Sequence, residues 1–513
     1  MQGYKQRYGA MLALFLGLLF SHNAHAEPGD EELLSGGTYM RAVSLDLRGK
    51  LPTLEEYQQV DANGEIPESL LDEWLGSEDF VERVVNYHKK RFWNRNPETN
   101  FTAALLYQVD SIHYSPAKSY IYGRAGVCGD FPAEFDEDGR PIQFPQGGGY
   151  VDEGWVEVAP YWDPDNPIKI CAMDAQENLT SSLGVACNTD QGSYAAADCG
   201  CGPNLAWCVD NGYMSIHLTS AMDEDVDRRV AEMIRQERSY IDLLTDNRAW
   251  VNGPMTHWLR YTKQRVGYST DISHLPYDED ILPDLHWTDD DIWVELELGS
   301  EQSGVLTAPS FLLRFMSNRS RADRFFNEFL CQPFQAPEGG IPTGDDAVPT
   351  LNLSVRDGCK YCHAILEPAA ASWGRFVQGG AGYLDPDTYP DYNPDCTSQQ
   401  DGGSRDCNYH YVIPRNQEEY PYDGWLRAFS FLEERHHHMV ELGPKVLVEQ
   451  GSSDGRLSRC IAKKAAEHHL NRELESREEE WLLELAADFE ASGWQYKDLV
   501  KAIVKSSSYR RLP

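Results

Sequence analysis

The chain has 513 residues, of which 82 are acidic and 45 basic, giving a formal net charge of −37. That balance argues against nucleic acid or an anionic membrane surface as a partner, because both attract basic faces. A hydrophobic content of 41% with 11% aromatics supplies a buried core and excludes global disorder; the length predicts roughly two to four compact units.

In chain order, residues 1–26 read as a signal peptide. Lys5 and Arg7 give a positive start, Met11 to Phe20 is an apolar run, and Ala24-His-Ala26 puts small residues where a signal peptidase reads. The run is shorter than the about 20 residues needed to cross a bilayer, and an uncleaved anchor is the alternative. No later stretch is apolar enough to span, so the expected product has no integral membrane segment. It is exported, to the periplasm or the surface of a bacterium.

Residues 27–95 read as an N-terminal helical domain. Thr53-Leu-Glu-Glu56 has the capping-box form, and Ser77 caps a helix whose stripe is Val81, Val84, Val85, His88 and Phe92. His88 is expected to be a packed, hydrogen-bonded histidine rather than a ligand. A Cys-rich insertion without regular periodicity follows over 96–216, including Gln146-Gly-Gly-Gly-Tyr150. Helix resumes over 217–300, with a stripe from Met222 to Leu244, a stop at Asn252-Gly253-Pro254 and a short helix around Trp258. An acidic connector runs through Asp278-Glu-Asp280 and Asp289-Asp-Asp291. Residues 301–415 hold a helix from Thr307 to Leu330, another from Cys359 to Gly374, and an irregular acidic stretch with Asp385, Asp387, Asp391 and Asp395. Ordinary turns are expected there, with calcium as the alternative. The segment 416–513 reads as four or five helices, with Trp481, Leu482, Leu485, Phe489, Leu499, Ile503 and Val504 on buried faces. The fold class is therefore mostly α: a helical, multi-domain protein with a long irregular insertion.

Twelve cysteines in an exported chain are expected to be disulfide partners for the most part. Setting aside Cys359 and Cys362 leaves an even number, whose connectivity sequence cannot fix. A zinc site at Cys199, Cys201 and Cys208 is the alternative, although a two-residue spacing suits zinc poorly.

Gly358-Cys359-Lys360-Tyr361-Cys362-His363 carries the chemistry. Cys-x-x-Cys-His is the attachment sequence for haem c. Two thiols one helical turn apart can each form a thioether to a porphyrin vinyl group, and the following His363 can bind the iron as its proximal ligand. The alternatives are a short disulfide or a redox pair beside an incidental histidine. The distal ligand is open. Met439, in His436-His-His-Met439, is the candidate, with Met316, expected to be core, His410, His468, His469 and five-coordinate iron as alternatives. The four members of the His436–Met439 run are otherwise expected to be solvated. No Gly-x-Ser-x-Gly, phosphate-cradling loop or His-Glu-x-x-His competes.

Scattered short blocks resemble the planctomycete-type cytochrome c-like proteins, exported bacterial proteins of unknown function. Ser44-Leu-Asp-Leu-Arg-Gly-Lys-Leu-Pro-Thr-Leu-Glu-Glu56 resembles their opening segment, and Tyr240-Ile-Asp-Leu-Leu-Thr245 with Val251-Asn-Gly-Pro254, Gly304-Val-Leu-Thr-Ala-Pro-Ser-Phe311 and Phe329-Leu-Cys-Gln-Pro333 are similar to later segments of these proteins. Cys359-Lys-Tyr-Cys-His363 falls where that family carries its haem motif, with Glu367-Pro368 in place of the usual Asp-Pro, and Arg459-Cys460 through Ser506 resembles the terminal domain. The resemblance implies an exported, mostly helical haem protein without naming a reaction.

Three functions follow as expectations. The first is a monohaem protein that transfers electrons, with a redox partner that presents a basic docking face to this acidic chain. The second is a haem enzyme with peroxidase- or oxygenase-like activity, favoured by a chain far larger than one haem requires. The third is a disulfide-stabilised surface interaction protein without haem.

Overall fold

A computed structural model describes residues 33–60, 63–93, 108–109, 128–129, 131–145, 151–161, 163–184, 186–187, 198–206, 209–210, 213–262, 279–335, 350–398 and 405–511. The signal peptide, Gln146–Tyr150, Cys208 and Asp278 lie outside the described residues. About half of the described residues are helical, with 17 α-helices among them, and the described strands are few and short. None of the described helices is long and apolar enough to cross a membrane.

The N-terminal part contains α1 (Gly36–Arg48), α2 (Leu54–Tyr57), α3 (Glu68–Leu75) and α4 (Glu78–Phe92). The Thr53 capping box forms, and Ser77 accepts from Phe80 N–H at the start of α4. Glu56 then does a second job. Arg48 Nη1 and Trp74 Nε1 both donate to it at 2.8 Å, joining α1, α2 and α3. Burial pushes the Glu56 carboxyl up, but bonds from Arg48, Thr53 and Trp74 outweigh it and hold the pKa at about 2.

Next come α5 (Tyr213–Arg235), α6 (Asp242–Thr245) and α7 (Gly253–Thr262). Helix α5 begins inside the expected insertion. The expected single stretch from Met222 to Leu244 is broken, because the chain turns at Glu237, which takes a positive φ of 51°. Thr307 to Leu330 is likewise two helices, α8 (Pro309–Arg314) and α9 (Asn318–Phe329). The elbow between them is built by Ser317, whose hydroxyl accepts from Ser320 N–H. It lifts Met316 to 47% exposure, so Met316 is not the core residue expected.

After α10 (Lys360–Ala371) and α11 (Arg405–His410), the C-terminal part holds α12 (His437–Leu442), α13 (Lys445–Ser453), α14 (Arg456–Leu470), α15 (Glu479–Ala491), α16 (Tyr496–Lys505) and α17 (Ser507–Arg510). Six helices stand where four or five were expected. Their apolar faces join those of α1, α3, α4, α5 and α9 in one core that runs from Tyr39 to Tyr509. The two ends of the chain are tied together. Tyr39 Oη donates to Val504 O at 3.0 Å, and Tyr509 Oη donates to Asp46 Oδ2 at 2.6 Å.

The Cys-rich segment is not wholly irregular. Trp155–Val158 and Ile168–Cys171 pair antiparallel, Trp155 opposite Cys171, and Lys169 Nζ stands 3.8 Å above the Trp155 ring. A second hairpin joins Arg248–Val251 to Val294–Glu297. Disulfides link Cys128 to Cys171, Cys187 to Cys199, Cys331 to Cys460 and Cys396 to Cys407. Cys201 is also disulfide-bonded. With Cys199 and Cys201 both committed to disulfides, the zinc alternative is overturned. The acidic stretches make turns: Asp385 O accepts from Tyr389 N–H, Asp391 pairs with Arg375, and Asp289 Oδ2 accepts from His286 N–H.

Candidate functional site

Helix α10 starts where Gly358 takes a φ of 79°, a conformation that costs glycine little and any other residue more. Cys359 is the N-cap residue, and its carbonyl accepts from Cys362 N–H at 3.2 Å and from His363 N–H at 3.1 Å. The motif is thus wound into the first helical turn, with both cysteines and the histidine held within it. Leu366, Ala369, Ala370 and Ala371 form the buried face. That face packs on α9 and α12. The alanines allow a close approach, and at Gly374, just beyond the helix, an added Cβ would lie 2.5 Å from Ala428 Cβ.

The exit of α10 is fixed by a buried arginine. Arg321 of α9 is fully buried and donates to the carbonyls of Phe315, Leu312, Val377 and Gly380 at 2.8–3.1 Å. Burial pushes its pKa down to about 9. One guanidinium therefore ties the α8–α9 elbow to the segment after α10, and the motif helix cannot shift without breaking several bonds.

Among the described cysteines, Cys359 and Cys362 are the two that carry free thiols, and both are half-buried. Cys362 Sγ lies 3.7 Å from Gln335 O. The side chain of His363 is 23% exposed, and its Nδ1 bonds Glu367 Oε1 one turn along the helix. A carboxylate oxygen only accepts, so Nδ1 carries the proton and Nε2 is the lone-pair nitrogen of the neutral ring. Glu367 is itself gripped from α9: Arg319 Nε donates to Oε1 at 2.7 Å and Nη2 to Oε2 at 3.1 Å. Ser354 Oγ donates to the His363 carbonyl at 3.3 Å.

Beside this helix lies a cavity of about 460 Å³, lined among others by Arg319, Glu367, Ala370, Arg427, Phe431 and Leu432. That volume falls within the roughly 300–1,000 Å³ of small-molecule and cofactor sites. Among the described residues no cluster of three or more His, Cys, Asp or Glu could hold a metal ion. A haem iron asks for less, because the porphyrin supplies four of its donors and the protein one or two. None of Cys359, Cys362 and His363 lines that cavity; by their chemistry alone, two free thiols a turn apart and an imidazole are a donor set that fits haem c.

The remaining candidates are scattered. Met439 is buried at 4% exposure on α12, against the expected solvated position. Its helix packs on α10, and its sulfur lies 4.0 Å from Gln450 Nε2. His436 and His437 are half-buried and His438 is exposed. His410 is buried against the Tyr389 ring. His468 stacks on Tyr87 far along the sequence, on α14. His468 is exposed, whereas His469 is half-buried and burial pushes it down to about 3. His88 is the packed histidine expected: Nδ1 lies 2.8 Å from Val84 O and Nε2 3.1 Å from Tyr240 Oη. The sequence reading did not find Arg319 or the role of Glu367. An i, i+4 spacing from His363 to Glu367 was visible, but in a chain so rich in carboxylates it carried no weight by itself.

No protein family, curated protein or solved structure matches this chain.

Proposed function

We propose that the chain is a c-type monohaem protein of the bacterial periplasm or cell surface that transfers electrons. The observation that carries this reading is the first turn of α10, with two free thiols and a histidine whose Nδ1 is engaged by Glu367. Cys359 and Cys362 would hold the group, each thiol adding across one vinyl group so that a sulfur–carbon bond forms and the thiol hydrogen passes to the neighbouring carbon. His363 Nε2 would bind the iron. Bound there, haem supplies one-electron exchange. The buried face of α10 and the Arg321 clamp hold the turn that carries the motif. The resemblance to the planctomycete-type cytochrome c-like proteins supports the same reading. Met439 is the distal candidate; to serve, its sulfur would have to leave Gln450. The acidic surface favours a redox partner with a basic face, with an association that weakens as salt rises.

The test is expression with c-haem maturation machinery, followed by a reduced pyridine spectrum and the mass of the peptide carrying the motif. The expected result is a c-type band with haem mass on that peptide, and neither in a Cys359→Ala, Cys362→Ala double variant. A matured protein without the band would overturn the reading. A band accompanied by high-spin iron that turns over peroxide would replace electron transfer with enzymatic activity.

A further inference from the structure

Arg319, Glu367 and His363 form a continuous chain from α9 to the nitrogen opposite the free Nε2. Both Arg319 Nε and His363 Nδ1 converge on one oxygen, Glu367 Oε1, while Arg319 Nη2 holds the other. The arginine is anchored at its base, since α9 begins at the Ser317 capping box two residues earlier. Helix α10 is held to α9 along its buried face. The carboxylate is therefore held between side chains of two helices, and it orients the His363 ring through Nδ1.

We propose that Glu367 is a positioning residue that makes His363 a strongly donating ligand and holds the centre's reduction potential low, and that Arg319 tempers this effect. The inference rests on the proposed haem attachment. A carboxylate that accepts the distal N–H of a ligating histidine raises the basicity of the ligand, and such partners tune the metal as much as the ligands do. A more basic imidazole stabilises ferric over ferrous iron, which lowers the potential. Arg319 competes for the same oxygen and withdraws charge from it. Its removal therefore strengthens the pull on His363, and removal of Glu367 abolishes it.

The experiment is a potentiometric titration of the matured protein and three variants, with haem content read from the pyridine spectrum and folding from far-UV circular dichroism. Glu367→Gln is expected to keep its haem and shift the reduction equilibrium about tenfold toward the ferrous form, about 59 mV for one electron. Arg319→Gln is expected to shift it several-fold in the opposite direction. Glu367→Asp separates charge from contact. It keeps the carboxylate but shortens its reach, so it is expected to move toward Glu367→Gln; a potential equal to the parent's would mean that charge alone acts and would overturn the hydrogen-bond role. Attached haem with an unchanged potential in Glu367→Gln would overturn the inference and leave the haem reading intact. Absence of haem from the parent protein would overturn both. Should Glu367→Gln fail to fold, Arg319→Gln, half exposed and at a helix start, decides the question by the sign of its shift.

Discussion

His88 and His363 both sit on helices, and their surroundings ask opposite things of the imidazole. His88 of α4 is 1% exposed and has both nitrogens committed, Nδ1 to the Val84 carbonyl and Nε2 to the Tyr240 hydroxyl. Tyr87, Phe92, Tyr240 and Tyr496 ring it at centroid distances of 4.9–5.6 Å. Burial pushes its pKa down to about 3, and burial likewise raises those of Tyr240 and Tyr496. His363 is part-exposed, on the first turn of a helix, with a carboxylate on one nitrogen. The first environment saturates the ring and keeps it neutral. The second aligns it and leaves a lone pair to give. Burial, not residue type, separates a structural histidine from a candidate ligand.

The contrast can be broken by mutation, most severely on the buried side. Phe489, 1% exposed and edge-on to both Tyr240 and Trp494, forms the wall behind the His88 cluster. Phe489→Ala is expected to cost about 3–5 kcal/mol in denaturant unfolding, and a cost below about 1 would mean that the cluster is not packed as described. Tyr240→Phe keeps the ring but removes the hydroxyl that satisfies His88 Nε2. The buried nitrogen left without a donor is expected to cost about 1–3 kcal/mol, which Tyr240→Phe and parent unfolding curves at neutral pH would measure.

Acidity probes the same difference without mutation. His88 binds its proton near pH 3 when folded but near its ordinary 6.5 when unfolded, so the unfolded chain takes up more protons between these values. Stability is fully present above about 6.5 and falls as the pH drops through that window. His257 and His469 are lowered by burial in the same direction. Urea midpoints at pH 7 and pH 5 should therefore differ, and equal midpoints would contradict the buried-histidine picture. On the exposed side the effects shrink. Glu367→Ala in the haem-free chain removes partly exposed ion pairs and is expected to cost at most about 1 kcal/mol. Tyr361→Ser, at a position 63% exposed on α10, is expected to stay within about 0.5 kcal/mol of the parent.

Local features were legible wherever their cause was local. The Thr53 capping box, the Ser77 cap and the Gly turn before Cys359 depend on residues within one turn of each other, and all formed as read; His88 was read as packed from its place on the α4 stripe, although Tyr240 and Tyr496, which complete its surroundings, lie far along the chain. The readings that failed depended on distant neighbours. Met439 was expected to be solvated with the rest of the His436–Met439 run, yet α12 packs on α10 and Met439 is buried. Met316 was expected in the core, but the Ser317 cap breaks the helix there and lifts it out. The hairpin at Trp155–Cys171 was missed because each strand has only four residues and its alternation is too short to stand out from loop sequence.

By itself the sequence determined the Cys-x-x-Cys-His motif, the helical class and an even pool of cysteines, because each is written in spacing or composition. The tertiary structure alone decided which cysteines pair, that Cys359 and Cys362 stay apart from those pairings, and that Arg319 reaches across from α9 to Glu367. Those outcomes are set by the distance between side chains 11 to 129 positions apart, and sequence spacing carries no information about that distance until the chain has packed.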